Sequence, residues 1–123
     1  MAVMGLGQND AKASARNLTV ASVRFYCNNT SDPDSTYTVD EGNLVSSIVY
    51  SATGIQTITL KNRWKYIHAV AQALDTTGTV IAKVTATTAG RSSANTVVLQ
   101  TESSGLAAAL TNKYVDVLLF LYR

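Results

Sequence analysis

Hydrophobic and polar positions alternate along most of this chain with the period of two that a half-buried strand requires. From Ser47 to Lys61 the sequence S-I-V-Y-S-A-T-G-I-Q-T-I-T-L-K holds two such runs about a Ser-Ala-Thr-Gly tetrapeptide. Ile48 and Tyr50 alternate before it, and Ile58 and Leu60 alternate after it. Gly54 supplies the positive φ that a four-residue hairpin loop usually needs, so the stretch predicts a β-hairpin. Leu18 to Cys27 predicts an earlier strand with Val23 and Phe25 on one face, and the polar stretch from Asn28 to Gly42 predicts a loop.

Trp64 to Leu74 reads W-K-Y-I-H-A-V-A-Q-A-L. Its alanines admit a helix, but a basic corner before it and an Asp-Thr-Thr-Gly turn after it, Asp75 to Gly78, favour a strand. One face then holds Tyr66, His68, Val70, Gln72 and Leu74, and the other holds Ile67, Ala69, Ala71 and Ala73. Thr79 to Thr88 alternates Val80, Ala82, Val84 and Ala86, Ala89 to Asn95 reads as a loop, and Thr96 to Thr101 reads as a short strand. Ser103 to Lys113 reads either as a long loop or as one helical turn at Leu106 to Leu110. Tyr114 to Tyr122 closes the chain and is apolar on both faces: Leu118 with Phe120, and Val115, Val117, Leu119 with Leu121.

About eight short strands with turn signals between them predict an all-β fold, an antiparallel β-sandwich or jelly roll, in place of any strand-helix-strand architecture. Residues 17–123 are expected to form that single domain, and residues 1–16, rich in Gly, Ala, Asn and Ser, an extended or flexible N-terminal arm. A strand apolar on both faces needs cover on its second side: either it is central in a sandwich with a loop of the same chain over it, or, most simply, another copy of the chain covers it. The alanine face points the same way, because small residues let a neighbouring sheet approach. Ile67, Ala69, Ala71, Val117, Leu119 and Leu121 are therefore the expected self-association residues.

Composition narrows the choice of function. The chain of 123 residues has 46% hydrophobic and only 15% charged residues, a weakly charged surface suited to adhering to other protein. Its net charge of +2 and the absence of a long basic run argue against nucleic acid as the main partner. With a single cysteine, Cys27, there is no internal disulfide and no thiolate metal cluster. No stretch approaches the length of a membrane span, and Met1 to Arg16 lacks the apolar core of a secretory signal, so a cytoplasm-like site of synthesis is expected.

Candidate chemistry is sparse. Asp32, Asp34, Asp40 and Glu41 cluster in the polar loop, but their spacing matches no EF-hand and Asp32-Pro33-Asp34 is an ordinary turn sequence. No metal and no cofactor is expected. His68 is the only histidine and stands mid-strand, with no nucleophile motif, phosphate-binding glycine pattern or H-E-x-x-H in the chain. No catalytic residues are expected. Lys61-Asn62-Arg63-Trp64-Lys65 is the one locally basic patch, with an aromatic inside it; it reads as a solvated corner, as a grip for phosphates or a stacked base, or as an electrostatic contact with the acidic loop or an acidic capsid surface.

Four segments together resemble a family of small tailed-bacteriophage virion proteins of the capsid decoration (cement) and head-fibre type. They are V-R-F-Y-C-N-N-T-S-D-P (Val23 to Pro33), V-S-S-I-V-Y-S-A-T-G-I-Q-T-I-T-L (Val45 to Leu60), W-K-Y-I (Trp64 to Ile67) and V-D-V-L-L-F-L-Y-R (Val115 to Arg123). Family members usually carry an aromatic two residues after the turn glycine, where this chain has Gln56. The resemblance implies a capsid decoration protein, a homotrimeric jelly roll or sandwich that binds the major capsid protein shell and stabilises the head. Its place would be the virion surface after assembly in the host cytoplasm. The arm and the basic corner would then meet the shell, through Met1, Ala2, Val3, Met4, Lys12, Arg16, Lys61, Arg63 and Lys65. The alternative is a head-fibre or tail-associated β-module binding a host surface glycan, for which exposed loop aromatics, with Tyr37 a candidate, would be the mark.

Overall fold

A computed structural model of the chain describes residues 17–27, 32–33, 38–40, 42–75, 78–90, 95–108, 110 and 113–123. The expected arm, residues 1–16, lies outside them. The described residues form nine strands: β1 (Leu18–Cys27), β2 (Val39–Asp40), β3 (Val45–Ala52), β4 (Ile55–Leu60), β5 (Tyr66–Ala73), β6 (Ile81–Thr88), β7 (Asn95–Ser103), β8 (Leu106–Ala107) and β9 (Lys113–Tyr122). One antiparallel sheet has the order β2-β1-β9-β5, and the other has the order β3-β4-β7-β6 with β8 paired to β7. The fold is all-β and consistent with a sandwich, as the alternation predicts.

The period of two sets which side chains meet between the sheets. The first sheet sends inward Ala21, Val23, Phe25 and Cys27 from β1, and Val115, Val117, Leu119 and Leu121 from β9; the second sends Ile58 and Leu60 from β4 and Val97 and Leu99 from β7. The register stacks Ala21 beside Leu119 and Ala69, and Val23 beside Val117 and Ala71, so the small side chains of β5 lie at the margin of the core. Trp64, on the crossing from β4 to β5, and Leu110, on the crossing towards β9, close the ends of the core at 2% and 4% exposure.

Three local features differ from the sequence reading. The β3–β4 loop is shorter than a tetrapeptide, because Ala52 already pairs with Ile55 and only Thr53 and Gly54 remain unpaired. Gly54 has φ +72, and its carbonyl accepts the Thr101 N–H at 2.7 Å; a Cβ there would stand 2.8 Å from the Thr101 and Ala108 carbonyl oxygens. Ser103 to Ala107 is neither helix nor loop: Ser104 and Gly105 have φ 53 and 81, the two left-handed residues of a type I′ hairpin turn. Leu106 and Ala107 thereby return antiparallel to Ser103 and Glu102. Thirdly, Val39 and Asp40 inside the acidic loop add a short strand to β1.

Candidate functional site

On the outer face of the β2-β1-β9-β5 sheet, the residues that alternate with the core residues form three neighbouring rows. Leu18, Tyr122 and Tyr66 lie side by side, then Val20, Phe120 and His68, then Ser22, Leu118 and Val70. Several are large apolar groups open to solvent: Tyr66 at 62%, Val70 at 56%, Val20 at 54% and Leu118 at 41% exposure. An antiparallel sheet solvated on one face normally presents polar residues there, so this face departs from the pattern. The fourth row closes it with charge, Arg24 gripping Asp116 through two bonds of 2.6 and 2.8 Å. That hydrogen bond, with the Coulombic attraction behind it, raises the guanidinium pKa further above its ordinary value. Arg24 also lies over the Tyr114 ring, 5.6 Å from its centre, and Tyr114 meets Tyr26 edge-on at 5.0 Å. A shallow depression of about 520 Å³ lies where the apolar rows meet the charged one, lined by Ser22, Arg24, Val39, Val70, Asp116 and Leu118 among others.

The residues expected to self-associate sit on the other side of this sheet. Val117, Leu119 and Leu121 are 1%, 0% and 0% exposed and Ile67 is 9% exposed, all inside the chain's own core, with Ala69 and Ala71 half-buried against it. This corrects the sequence reading for Ile67, Val117, Leu119 and Leu121, since a side chain already covered by the opposite sheet of its own chain has no surface left for another copy, whereas Ala69 and Ala71 keep part of theirs. The strand does present two apolar faces. The uncovered one carries Leu118 and, half-buried, Phe120.

The second surface is a cleft of about 640 Å³ at the end of the sandwich, lined by Asn62, Arg63, Trp64, Lys65, Gly90 and Arg123. Arg123 lays its guanidinium over the Trp64 ring, 5.4 Å from the centre. The frame of the cleft is tied together from below. Buried Asn95, 1% exposed, donates through Nδ2 to the Asn62 carbonyl at 2.6 Å and accepts the Gly90 N–H at 2.9 Å. The Lys65 N–H donates to the Tyr122 carbonyl at 2.6 Å, and the Arg123 N–H to the Asn17 carbonyl at 3.1 Å. Lys61, Arg63 and Lys65 are all exposed, but the Lys61 ammonium turns to Asn43 Oδ1 at 2.7 Å. The basic pentapeptide is legible in the sequence, whereas no local pattern marks Asn95 or Arg123 as part of the cleft. Met1, Ala2, Val3, Met4, Lys12, Arg16 and Tyr37 lie outside the described residues.

Of the four acids in the polar loop, Asp34 and Glu41 lie outside the described residues, and Asp32 and Asp40 bond backbone N–H groups. Asp40 accepts the N–H groups of Leu44 and Val45 at 3.0 and 2.9 Å, and Asp32 accepts that of Tyr50 at 2.8 Å. Among the described residues no group of three or more His, Cys, Asp or Glu side chains comes together as a metal cage. His68 meets Phe120 edge-on at 6.3 Å on the apolar face. Burial pushes the Cys27 thiol up to about 12.

No family model, curated protein or solved structure matches this chain. The two surfaces and their chemistry therefore carry the functional argument, together with the segments described above.

Proposed function

We propose that this chain is a bacteriophage capsid decoration protein, which self-associates as a trimer and binds the major capsid protein shell to stabilise the head. The observation that carries the reading is the uncovered apolar face of the β2-β1-β9-β5 sheet, where Val20, Leu118 and Val70 stand exposed in adjoining rows. Each fully buried aliphatic side chain contributes roughly 1.5–3 kcal/mol of transfer free energy, so an assembly that covers several of them at each contact is favoured. Repetition of modest contacts over a symmetric shell multiplies retention without any single strong one. The resemblance of Val23 to Pro33, Val45 to Leu60, Trp64 to Ile67 and Val115 to Arg123 to small virion proteins supports the same role.

The test is the mass of the purified protein in solution, followed by its binding to tailed-phage heads stripped of accessory proteins. The wild-type chain should be a trimer that binds such heads, and a variant carrying Leu118→Ser and Val70→Ser should be a folded monomer. A wild-type monomer that ignores heads would overturn the reading.

A further inference from the structure

We infer that the cleft around Trp64 is a docking site for an acidic peptide segment of a partner protein. Three cationic side chains, Arg63, Lys65 and Arg123, line it, and no Asp or Glu side chain does among the described residues. The whole chain carries a net charge of only +2, so this is a local concentration of positive charge on a nearly neutral molecule. Guanidinium forks bind carboxylates through paired hydrogen bonds, and their register adds specificity to attraction.

The cleft is built before any partner arrives. Asn95 holds both of its walls, at Asn62 and Gly90, from a fully buried position, and the Lys65 and Arg123 backbones are tied to Tyr122 and Asn17. A frame fixed in this way loses little conformational entropy on binding. Its volume of about 640 Å³ is that of a ligand cleft and exceeds what a lone inorganic anion fills.

Nucleic acid fits less well. Stacking a base needs an open aromatic face, whereas Trp64 is 2% exposed and has Arg123 over its ring. The neighbouring Tyr66 ring carries the Lys65 ammonium 5.7 Å from its centre. The cations sit at one corner and do not line a path along which a phosphate backbone would track. That the partner is a shell protein rests on the decoration reading; the chemistry of the cleft does not.

Trp64 is the only tryptophan, so intrinsic fluorescence reports from the cleft itself. The protein is titrated with a short poly-glutamate peptide and, separately, with an oligothymidylate of equal charge, and the affinities of variants are measured by calorimetry. Poly-glutamate should give a saturable change in Trp64 emission that weakens as salt is added, with the oligothymidylate clearly weaker. Replacing Lys65→Ala and Arg123→Ala together should weaken the peptide about tenfold with circular dichroism unchanged, and Lys65→Glu should weaken it further. No saturable response to the peptide, an equal or tighter response to the oligothymidylate, or wild-type affinity in the double variant would overturn the inference. Peptide binding by a chain that ignores heads sinks the decoration reading alone. Head binding with no peptide response sinks this one alone.

Discussion

Asn95 donates its side-chain N–H to the carbonyl of Asn62, 33 positions earlier in the chain, at a distance of 2.6 Å. The same amide accepts the Gly90 N–H, so one buried side chain joins the crossing after β4 to the backbone just past β6. Asn95→Ala would leave a backbone carbonyl and a backbone N–H without their partner. Each such loss costs about 1–3 kcal/mol, and a fall in stability of about 2–6 kcal/mol is expected in urea denaturation. Asn95→Asp keeps the acceptor but sets a buried carboxylate oxygen against the Asn62 carbonyl, so it should be at least as destabilising as Asn95→Ala. An unchanged midpoint in both variants would show that the bridge contributes nothing.

Adjacent leucines of β9 should behave oppositely. Leu119 is fully buried, and Leu119→Ala should cost about 2–5 kcal/mol in the folding of the single chain. Leu118 is 41% exposed on the other face, and Leu118→Ser should change monomer stability by no more than about 0.5 kcal/mol while weakening association. Denaturation and solution mass, measured on both variants, separate the two effects. A Leu119→Asp variant should fail to fold, in place of the folded monomer that an interface role for Leu119 requires.

Gly54 and Gly78 share a left-handed φ of +72 and +69 but differ in surroundings. At Gly78 an added Cβ meets nothing within 4 Å, so Gly78→Ala should cost only the conformational penalty of about 1–2 kcal/mol. At Gly54 the Cβ would meet two backbone carbonyl oxygens at 2.8 Å that hold the β7–β8 hairpin, and Gly54→Ala should cost about 2–4 kcal/mol. Equal thermal shifts in the two variants would remove the steric contribution.

Cys27 gives the fold an alkaline limit. Burial raises its thiol from an ordinary 9.0 to about 12, because the thiolate has no water in the core. The unfolded chain therefore loses this proton first as pH rises. The contribution is fully present below about pH 9 and is lost between there and about pH 12, at up to about 1.4 kcal/mol for each pH unit. The stability of Cys27→Ala, lower at neutral pH because of the cavity, should lack this component of the alkaline slope. The native thiol should also resist a disulfide reagent at pH 8 until denaturant is added. Rapid labelling without denaturant would contradict its burial.

Strand identity was legible locally. Leu18 to Cys27 and the Ile55–Leu60 half of the hairpin carry alternation and β-branched content that few other backbones accommodate, and both are strands in the structure. The β8 return was legible in principle through the Ser104-Gly105 dipeptide, an I′ turn signal outweighed by the alanine run that follows it. The Val39–Asp40 strand was not legible, because two residues are too few to show a period.

By itself the sequence determined an all-β chain, the placement of its long strands, and the presence of two apolar faces on the closing strand. Alternation says which residues share a face, but not which face turns inward when both are apolar. Tertiary structure decided that, by setting the core residues of β4 and β7 against Val117, Leu119 and Leu121 and leaving Leu118 and Phe120 outside that core. It also brought Asn95 to Asn62 by pairing β4 with β7, and Arg123 over Trp64 by pairing β5 with β9, contacts that depend on which strands become neighbours and that no local pattern in the sequence specifies.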